Sequence, residues 1–236
     1  MMAPPNGEDD QLSAEDEPQL SASTLLALQE FYAEQEEREK RLQKQLEESE
    51  SNLVNISNFD ENWQLSQFWY DEETANTLAE EACRAAECTG RVALISCPTL
   101  YSLVKNSKSR NQKTSVSLLE YDRRFSAYGT DYIFYDYQSP LELPRELEHQ
   151  FDVVVADPPF LFEECLQKTA STVKFLAKDK IVLCTGAVME ELACSLLNLH
   201  RCSFKPKHKN NLANEFACFS NYDFDNFVNR NKSFSL

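Results

Sequence analysis

The stretch Phe151-Asp152-Val153-Val154-Val155-Ala156-Asp157-Pro158-Pro159-Phe160 decides how the chain is read. Val153–Ala156 are apolar at successive positions instead of alternating, the pattern of a strand covered on both faces of a parallel sheet. Similar short runs occur at Arg91–Ser96 (RVALIS), Val116–Tyr121 (VSLLEY), Tyr132–Tyr135 (YIFY) and Ile181–Thr185 (IVLCT). Helical stretches are predicted between and after them, at about 100–107, 141–149, 162–177 and 187–198. A further helix is predicted from Asp71, with Thr74, Leu78, Ala82 and Ala85 at helical spacing and Gly90 as its C-cap. Repeating strand–helix units imply a doubly wound α/β sheet. Residues 201–208 and 215–222 read as two further strands, an antiparallel hairpin turning at Lys209–Asn214 (KNNLAN). Alternation alone allows a nucleotide-binding dehydrogenase or a flavodoxin-like fold as well.

After the Val153–Ala156 strand come an acid, two prolines and an aromatic. In an open α/β sheet, ligands bind beyond the carboxyl ends of the strands, which is where Asp157 falls. The prolines fix φ and withdraw two N–H groups, leaving a stiff turn with free carbonyls. A carboxylate and free carbonyls accept hydrogen bonds from an amine, while Phe160 offers a π-face to a planar or cationic group. A structural Asp-Pro turn is the plainer reading of the same residues.

Charge narrows the partners. The net charge is −16, and residues 1–62 hold 16 of the 39 acidic and 4 of the 23 basic residues. The remaining 174 residues are therefore close to neutral, at −4. A grip on duplex nucleic acid needs a dense basic face, and Lys205-Pro206-Lys207-His208-Lys209 is the nearest approach to one. No nucleic-acid partner is expected; a basic protein surface suits the chain better. The eight cysteines are scattered without a CxxC pair, so reduced core thiols are expected, with no disulfide or metal framework. The first residues lack the basic and apolar regions of a signal peptide, and no apolar run reaches the roughly 18–20 residues of a membrane span. A cytoplasmic, membrane-free monomer is expected. Residues 1–20 read as a disordered acidic tail. Residues 21–62 read as a helix starting at Ser23 or Thr24, then a linker. Residues 63–236 form the main domain.

Five parallel strands followed by a hairpin is the arrangement of the Rossmann-like class I methyltransferases, a mostly parallel seven-stranded sheet here carrying an N-terminal helical extension. Asp157-Pro158-Pro159-Phe160 resembles the [DNS]-P-P-[YFW] motif of amino-methyltransferases, with Phe160 in place of the commoner Tyr. Five blocks narrow the resemblance: Gln67–Tyr70 (QFWY), Glu120–Phe125 (EYDRRF), Phe134–Tyr137 (FYDY), Asp157–Phe160 (DPPF) and Asn211–Phe216 (NLANEF). In that order, over about residues 20–222, they resemble the eukaryotic elongation factor 1-alpha lysine methyltransferase 1 family. The resemblance implies S-adenosyl-L-methionine as cofactor and a lysine of translation elongation factor 1-alpha as the methyl acceptor. It also implies direct transfer with Asp157, Pro158, Pro159 and Phe160 at the catalytic corner.

Within that resemblance, the acid after the second strand holds the ribose hydroxyls, with Glu120 first and Asp122 second. Asp136 is placed to accept from the adenine amino group and Tyr137 to lie against the ring. No glycine follows the first strand, so Ser96-Cys97-Pro98-Thr99 must make the turn facing the methionine part, through Ser96, Pro98 and Thr99. That absence counts against NAD or FAD, whose pyrophosphate needs close backbone approach. Trp69 and Tyr70, with Phe68, are candidates to roof the cofactor or to form the amine pocket with Phe160, although an aromatic group is as readily core. Tyr101 is a weaker candidate, and Asn214 and Glu215 sit in the predicted hairpin. His149, His200 and His208 fit no metal site or triad and receive no role. An N6-adenine nucleic-acid methyltransferase, or a non-catalytic binding protein on the same fold, are the rival readings.

Overall fold

The computed structural model describes residues 59–87, 90–107, 114–210, 212–226 and 228. The predicted acidic tail and the helix from Ser23 lie outside the described residues, as do Asn211 and Cys88. In chain order the elements are α1 (Glu72–Ala85), β1 (Arg91–Ile95), α2 (Tyr101–Lys105), β2 (Ser115–Glu120), β3 (Tyr132–Phe134) and β4 (Phe151–Ala156). They continue with α3 (Glu163–Leu176), β5 (Ala177–Gly186), α4 (Glu190–Leu197), β6 (His200–Arg201) and β7 (Phe216–Ser220).

These seven strands make one sheet in the order β3-β2-β1-β4-β5-β7-β6. The first five run parallel, β1 pairing with both β2 and β4. Strand β7 inserts antiparallel beside β5, with Val182 opposite Ser220 and Gly186 opposite Phe216, and β6 adds outside it. The order reverses at β1, so a crevice opens beyond the carboxyl ends of β1 and β4.

Burial explains the continuous apolar runs. Ala93, Ile95, Val154, Ala156 and Leu183 cluster with Leu166 and Val173 of α3 and Ala193 and Leu197 of α4. The alternate residues Val92, Leu94, Val153, Val155 and Val182 are equally buried, and the period of two turns them to the opposite face, where α1 packs against β4. Each buried valine, leucine or isoleucine contributes about 1.5–3 kcal/mol relative to exposure, so both faces of the central strands are held by apolar packing.

Helix α1 starts where Asp71 accepts the Thr74 N–H at 2.8 Å, with Glu72 and Glu73 complementing the dipole in the first turn. It ends earlier than expected: Ala86 is the C-cap, and Glu87 takes the left-handed turn at φ 54°. Gly90 serves β1 instead. A Cβ there would lie 2.6 Å from the Ala86 carbonyl oxygen and 2.7 Å from the Asp152 carboxylate.

Two other expectations are corrected. Residues 141–149 form no α-helix, only a 3-10 turn at Arg145–Leu147. Pro144 lies inside the expected span, removing a donor and clashing with the preceding turn. The hairpin is also not a tight one. Strand β6 is two residues long, and Cys202 N–H still reaches the Cys218 carbonyl at 2.9 Å before the chain leaves the sheet. Pro206 cannot extend the ladder, and Lys205, Lys207 and Lys209 suit an exposed path. His208 pairs instead as an isolated bridge with Tyr70. Among the described residues, no helix is long and apolar enough to cross a membrane. None of their His, Cys, Asp and Glu side chains group so as to hold a metal ion.

Candidate active site

A cavity of about 560 Å³ opens at the carboxyl ends of the parallel strands, within the roughly 300–1,000 Å³ typical of small-molecule sites. It is lined by four segments: Gln67–Tyr70 ahead of α1, Ser96–Thr99 after β1, Tyr135–Gln138 after β3 and Asp157–Leu161 after β4. Glu120, Tyr121, His208, Leu212–Asn214 and Phe216 complete it. Most of the residues singled out from sequence therefore meet around one space, despite their separation along the chain.

Asp157 is half-buried where β4 ends, its N–H donating to the Ile95 carbonyl at 3.0 Å. Burial pushes its carboxyl up to about 7; the Tyr70 hydroxyl opposes this, and the Glu120 charge adds to it. Tyr70 is itself fully buried, and its hydroxyl sits near Asp157 without meeting a partner in hydrogen-bond geometry. The result is a carboxyl and a hydroxyl close to each other on the cavity wall, both with proton affinities raised by burial.

Glu120 closes β2. Its Oε1 accepts from Gln67 Nε2 at 3.3 Å, Tyr121 N at 3.1 Å and Asp122 N at 3.2 Å. Its Oε2 has no partner among the described residues. Burial pushes this carboxyl up to about 7, partly offset by those N–H donors and reinforced by the Asp122 charge. Asp122 does not line the cavity. It caps the 3-10 turn that comes next, accepting from Arg124 N at 2.9 Å and pairing with the Arg124 guanidinium at 2.6 Å. Gln67 joins the two acids: Nε2 donates to Asp122 at 3.1 Å, while Oε1 accepts from Arg124 at 3.2 Å.

The turn after β1 has no glycine, yet Ser96 adopts the left-handed φ of 55° that glycine takes freely. The Ser96 N–H donates to the Leu119 carbonyl at 2.9 Å, and Pro98 and Thr99 begin a 3-10 turn on the cavity wall. Cys97, beside them, donates its thiol to the Val155 carbonyl at 3.5 Å, and burial holds that thiol well above its ordinary range. Across the cavity, Asp136 accepts the Gln138 N–H at 2.8 Å. Tyr137 meets Phe160 edge-on at 5.7 Å, and Phe160 stacks on Phe162 at 5.6 Å.

The aromatic group ahead of α1 divides. Trp69 is 5% exposed, its Nε1 bonded to the Phe59 carbonyl at 3.2 Å and its ring edge-on to Phe125 at 6.4 Å. Its side chain belongs to the core, whereas Tyr70 addresses Asp157. Tyr101 stacks on Tyr128 at 3.9 Å and donates to Asp131 at 2.8 Å, outside the cavity lining. Asn214 lines the cavity, while Glu215 pairs with Arg201 and Lys205. Two residues given no role from sequence are part of the site: Gln67, which carries the carboxylate bridge, and His208, whose ring lies 5.0 Å from that of Tyr70. A glutamine between Leu65-Ser66 and Phe68-Trp69-Tyr70 was the available signal for the first. For His208 nothing local distinguishes it from a surface histidine in a lysine-rich run.

A protein-family model described as Probable N6-adenine methyltransferase matches residues 61–224. The chain is 51% identical to EEF1A lysine methyltransferase 1 of Homo sapiens over 90% of its length and 95% of that protein's. It is 33% identical to Protein-lysine N-methyltransferase EFM5 of Saccharomyces cerevisiae, covering 86% of this chain and 92% of that one. Among solved structures, magnesium protoporphyrin IX methyltransferase from Synechocystis PCC 6803 with bound SAM is 10% identical, with a TM-score of 0.46. That match covers 88% of this chain and all of the other. The sheet is the expected seven-stranded, mostly parallel one with an antiparallel β7, and the chain belongs to the family that includes the EEF1A lysine methyltransferase 1 proteins.

Proposed function

We propose that this protein transfers a methyl group from S-adenosyl-L-methionine to the side-chain nitrogen of a lysine in translation elongation factor 1-alpha. The observation that carries this reading is Asp157. It stands on a rigid diproline corner beside the Tyr70 hydroxyl, in one cavity with a ribose-type acid at the end of β2, and burial raises its carboxyl to about 7.

The residues present fit the cofactor. Glu120 offers a free Oε2 to the ribose hydroxyls, and its other oxygen is fixed by three N–H groups. Asp122 and Arg124 act as the brace that holds Gln67 and Glu120 in place, which makes Glu120 the ribose ligand of the two acids. Asp136 and Tyr137 suit the adenine, and the Ser96-Cys97-Pro98-Thr99 turn suits the methionine part. When bound, the cofactor supplies a sulfonium methyl group open to attack by a nitrogen lone pair. Pro158 and Pro159 stiffen the corner, Asp157 and the free carbonyls orient the amine, and Phe160 offers its face to the alkylammonium.

A lysine ammonium, ordinarily near 10.4, must lose a proton before it attacks. Desolvation between Tyr70 and Phe160 lowers that value, and Asp157, raised to about 7 by its own burial, is a far better proton acceptor than an ordinary carboxylate. The two shifts bring donor and acceptor toward each other. The protein partner is met at the mouth of this cavity, and the site of action we assign is the cytoplasm, with a monomer as the working unit.

The test is transfer of labelled methyl to elongation factor 1-alpha, with nuclease and protease controls. Protease-sensitive label on that protein, lost with Asp157→Ala while calorimetric cofactor affinity stays within about twofold, supports the reading. Nuclease-sensitive label, or undiminished transfer by the folded variant, overturns it.

A further inference from the structure

Beyond the residues assigned above stands His208, and the backbone fixes it there. Asp71 N–H donates to the Lys207 carbonyl at 2.9 Å and Lys209 N–H to the Trp69 carbonyl at 2.8 Å. These two bonds flank the antiparallel bridge between Tyr70 and His208. Opposed residues in such a non-hydrogen-bonded pair bring their side chains close on one face. Accordingly the two rings lie 5.0 Å apart at 33°, and on its other side His208 meets Phe216 edge-on at 4.5 Å. Tyr70, His208 and Phe216 all line the cavity, so they form a continuous aromatic surface that starts beside Asp157.

That surface is unlike the rest of the lining. The cofactor segments after β1, β2 and β3 carry carboxylates and hydroxyls, whereas this wall offers ring faces, ring edges and an imidazole, with the Tyr70 hydroxyl at its Asp157 end. Among the described residues, no hydrogen-bond partner meets either imidazole nitrogen. A four-carbon stem ending in a cation is the side chain that such a surface accommodates, by apolar contact along the stem and ring contact at the head.

Resting on the lysine reading, we propose that His208 determines acceptance of the target, forming with Tyr70 and Phe216 the wall along which the alkylammonium side chain reaches Asp157. A competing role for the ring is general base. Burial lowers the proton affinity of His208 below that of an ordinary histidine, against the pull of Glu61 and Asp71, the acids that act on it. Asp157 is raised to about 7. A proton leaving the amine is therefore held better on Asp157, and an uncharged imidazole avoids repelling the incoming ammonium.

Steady-state methylation of elongation factor 1-alpha by the full chain, as wild type, His208→Ala and His208→Phe, tests this. His208→Ala raises KM for the protein acceptor about tenfold, the scale of one lost ring contact to a desolvated cation. Its cofactor Kd is unchanged, and His208→Phe restores KM to within about threefold of wild type because the wall is rebuilt without a titrating nitrogen. Equal KM for wild type and His208→Ala overturns the inference. So does a loss of kcat shared by Ala and Phe with KM unaltered, which would make the nitrogen the working part. A wild-type protein that labels no lysine sinks the parent reading and this one together, whereas active wild type with an indifferent His208 sinks this one alone.

Discussion

Replacing Asp157 with asparagine should make the protein more stable while damaging its chemistry, and the size of the gain comes from burial. The carboxyl is raised from its ordinary 3.8 to about 7, with burial the largest cause. Each tenfold change in proton affinity corresponds to about 1.4 kcal/mol, so holding the ionised form in the fold costs at most about 4 kcal/mol. The sign is set by linkage: a raised folded value means the native state binds the proton more tightly. Stability is then complete below about pH 4 and falls as pH rises toward 7. Asparagine stands in for the neutral acid at every pH. Asp157→Asn should therefore gain about 2–4 kcal/mol over wild type at pH 8, an increase in Tm of about 4–16 °C for a domain of this size. The gain should vanish near pH 4. Paired urea melts at pH 8 and pH 4 read it directly. A variant no more stable than wild type at pH 8, or one with the same advantage at both values, would refute the claim that Asp157 is held at a strained charge. The same substitution leaves an acceptor oxygen but no proton acceptor, so the rise in kcat centred near pH 7 should disappear with it.

Other outcomes depend on single contacts. Glu120→Gln should weaken cofactor binding about tenfold, the scale of a charge-assisted hydrogen bond. Calorimetry showing no change would move the ribose contact elsewhere on the cavity wall. Gly90→Ala forces a Cβ to 2.6 Å from the Ala86 carbonyl oxygen, which the helix end and the Asp152 side chain must yield to accommodate. A loss of about 1–3 kcal/mol is expected in urea melts, and a neutral result would show that this crossing is not tight. Phe219→Ala empties a fully buried position on β7, opposite Leu183. It should cost about 3–5 kcal/mol, and a smaller loss would mean that the inserted antiparallel strand is not part of the cooperative core.

The fold was most legible where burial alone sets the residue pattern. Strand β4 has the bounds its apolar run predicts, because a strand sandwiched between α1 and the α3–α4 layer admits apolar residues at successive positions. Legibility failed where local rules compete. At 141–149 the charged and leucine residues have helical spacing, but Pro144 overrides them within the same nine positions. At 201–208 the residues look strand-like, yet Pro206 and the lysines on either side of it turn most of them away from the sheet. The site shows the same division. Asp157, Glu120 and Asp136 could be placed by counting from strand ends, since the topology puts every such end at one crevice. Gln67 and His208 could not, because their importance lies in pairings 53 and 138 residues away in sequence. No local period carries such information. Strand position ranked Glu120 ahead of Asp122 but could not show what distinguishes two acids two positions apart: one ends the strand and the other caps the next turn.

The turn after β1 shows why residue type alone misleads at such sites. A glycine-rich loop is sought there because its backbone must turn sharply against a ligand, and glycine reaches positive φ without strain. Here Ser96 reaches φ 55° with a Cβ in place, at a cost of about 1–2 kcal/mol. The sheet imposes that conformation from several sides. Ser96 N–H is tied to β2 through the Leu119 carbonyl, Asp157 N–H is tied to the Ile95 carbonyl just before the turn, and the Cys97 thiol is tied to the Val155 carbonyl. The bond from Asp157 belongs to the diproline corner itself, so the strained turn and that corner hold each other across the β1–β4 pair. What a ligand needs at this position is a backbone path, and the path is supplied here by neighbouring strands instead of by a permissive residue. A search for glycines would pass over the site, whereas a search for a left-handed residue at the end of the central strand would find it.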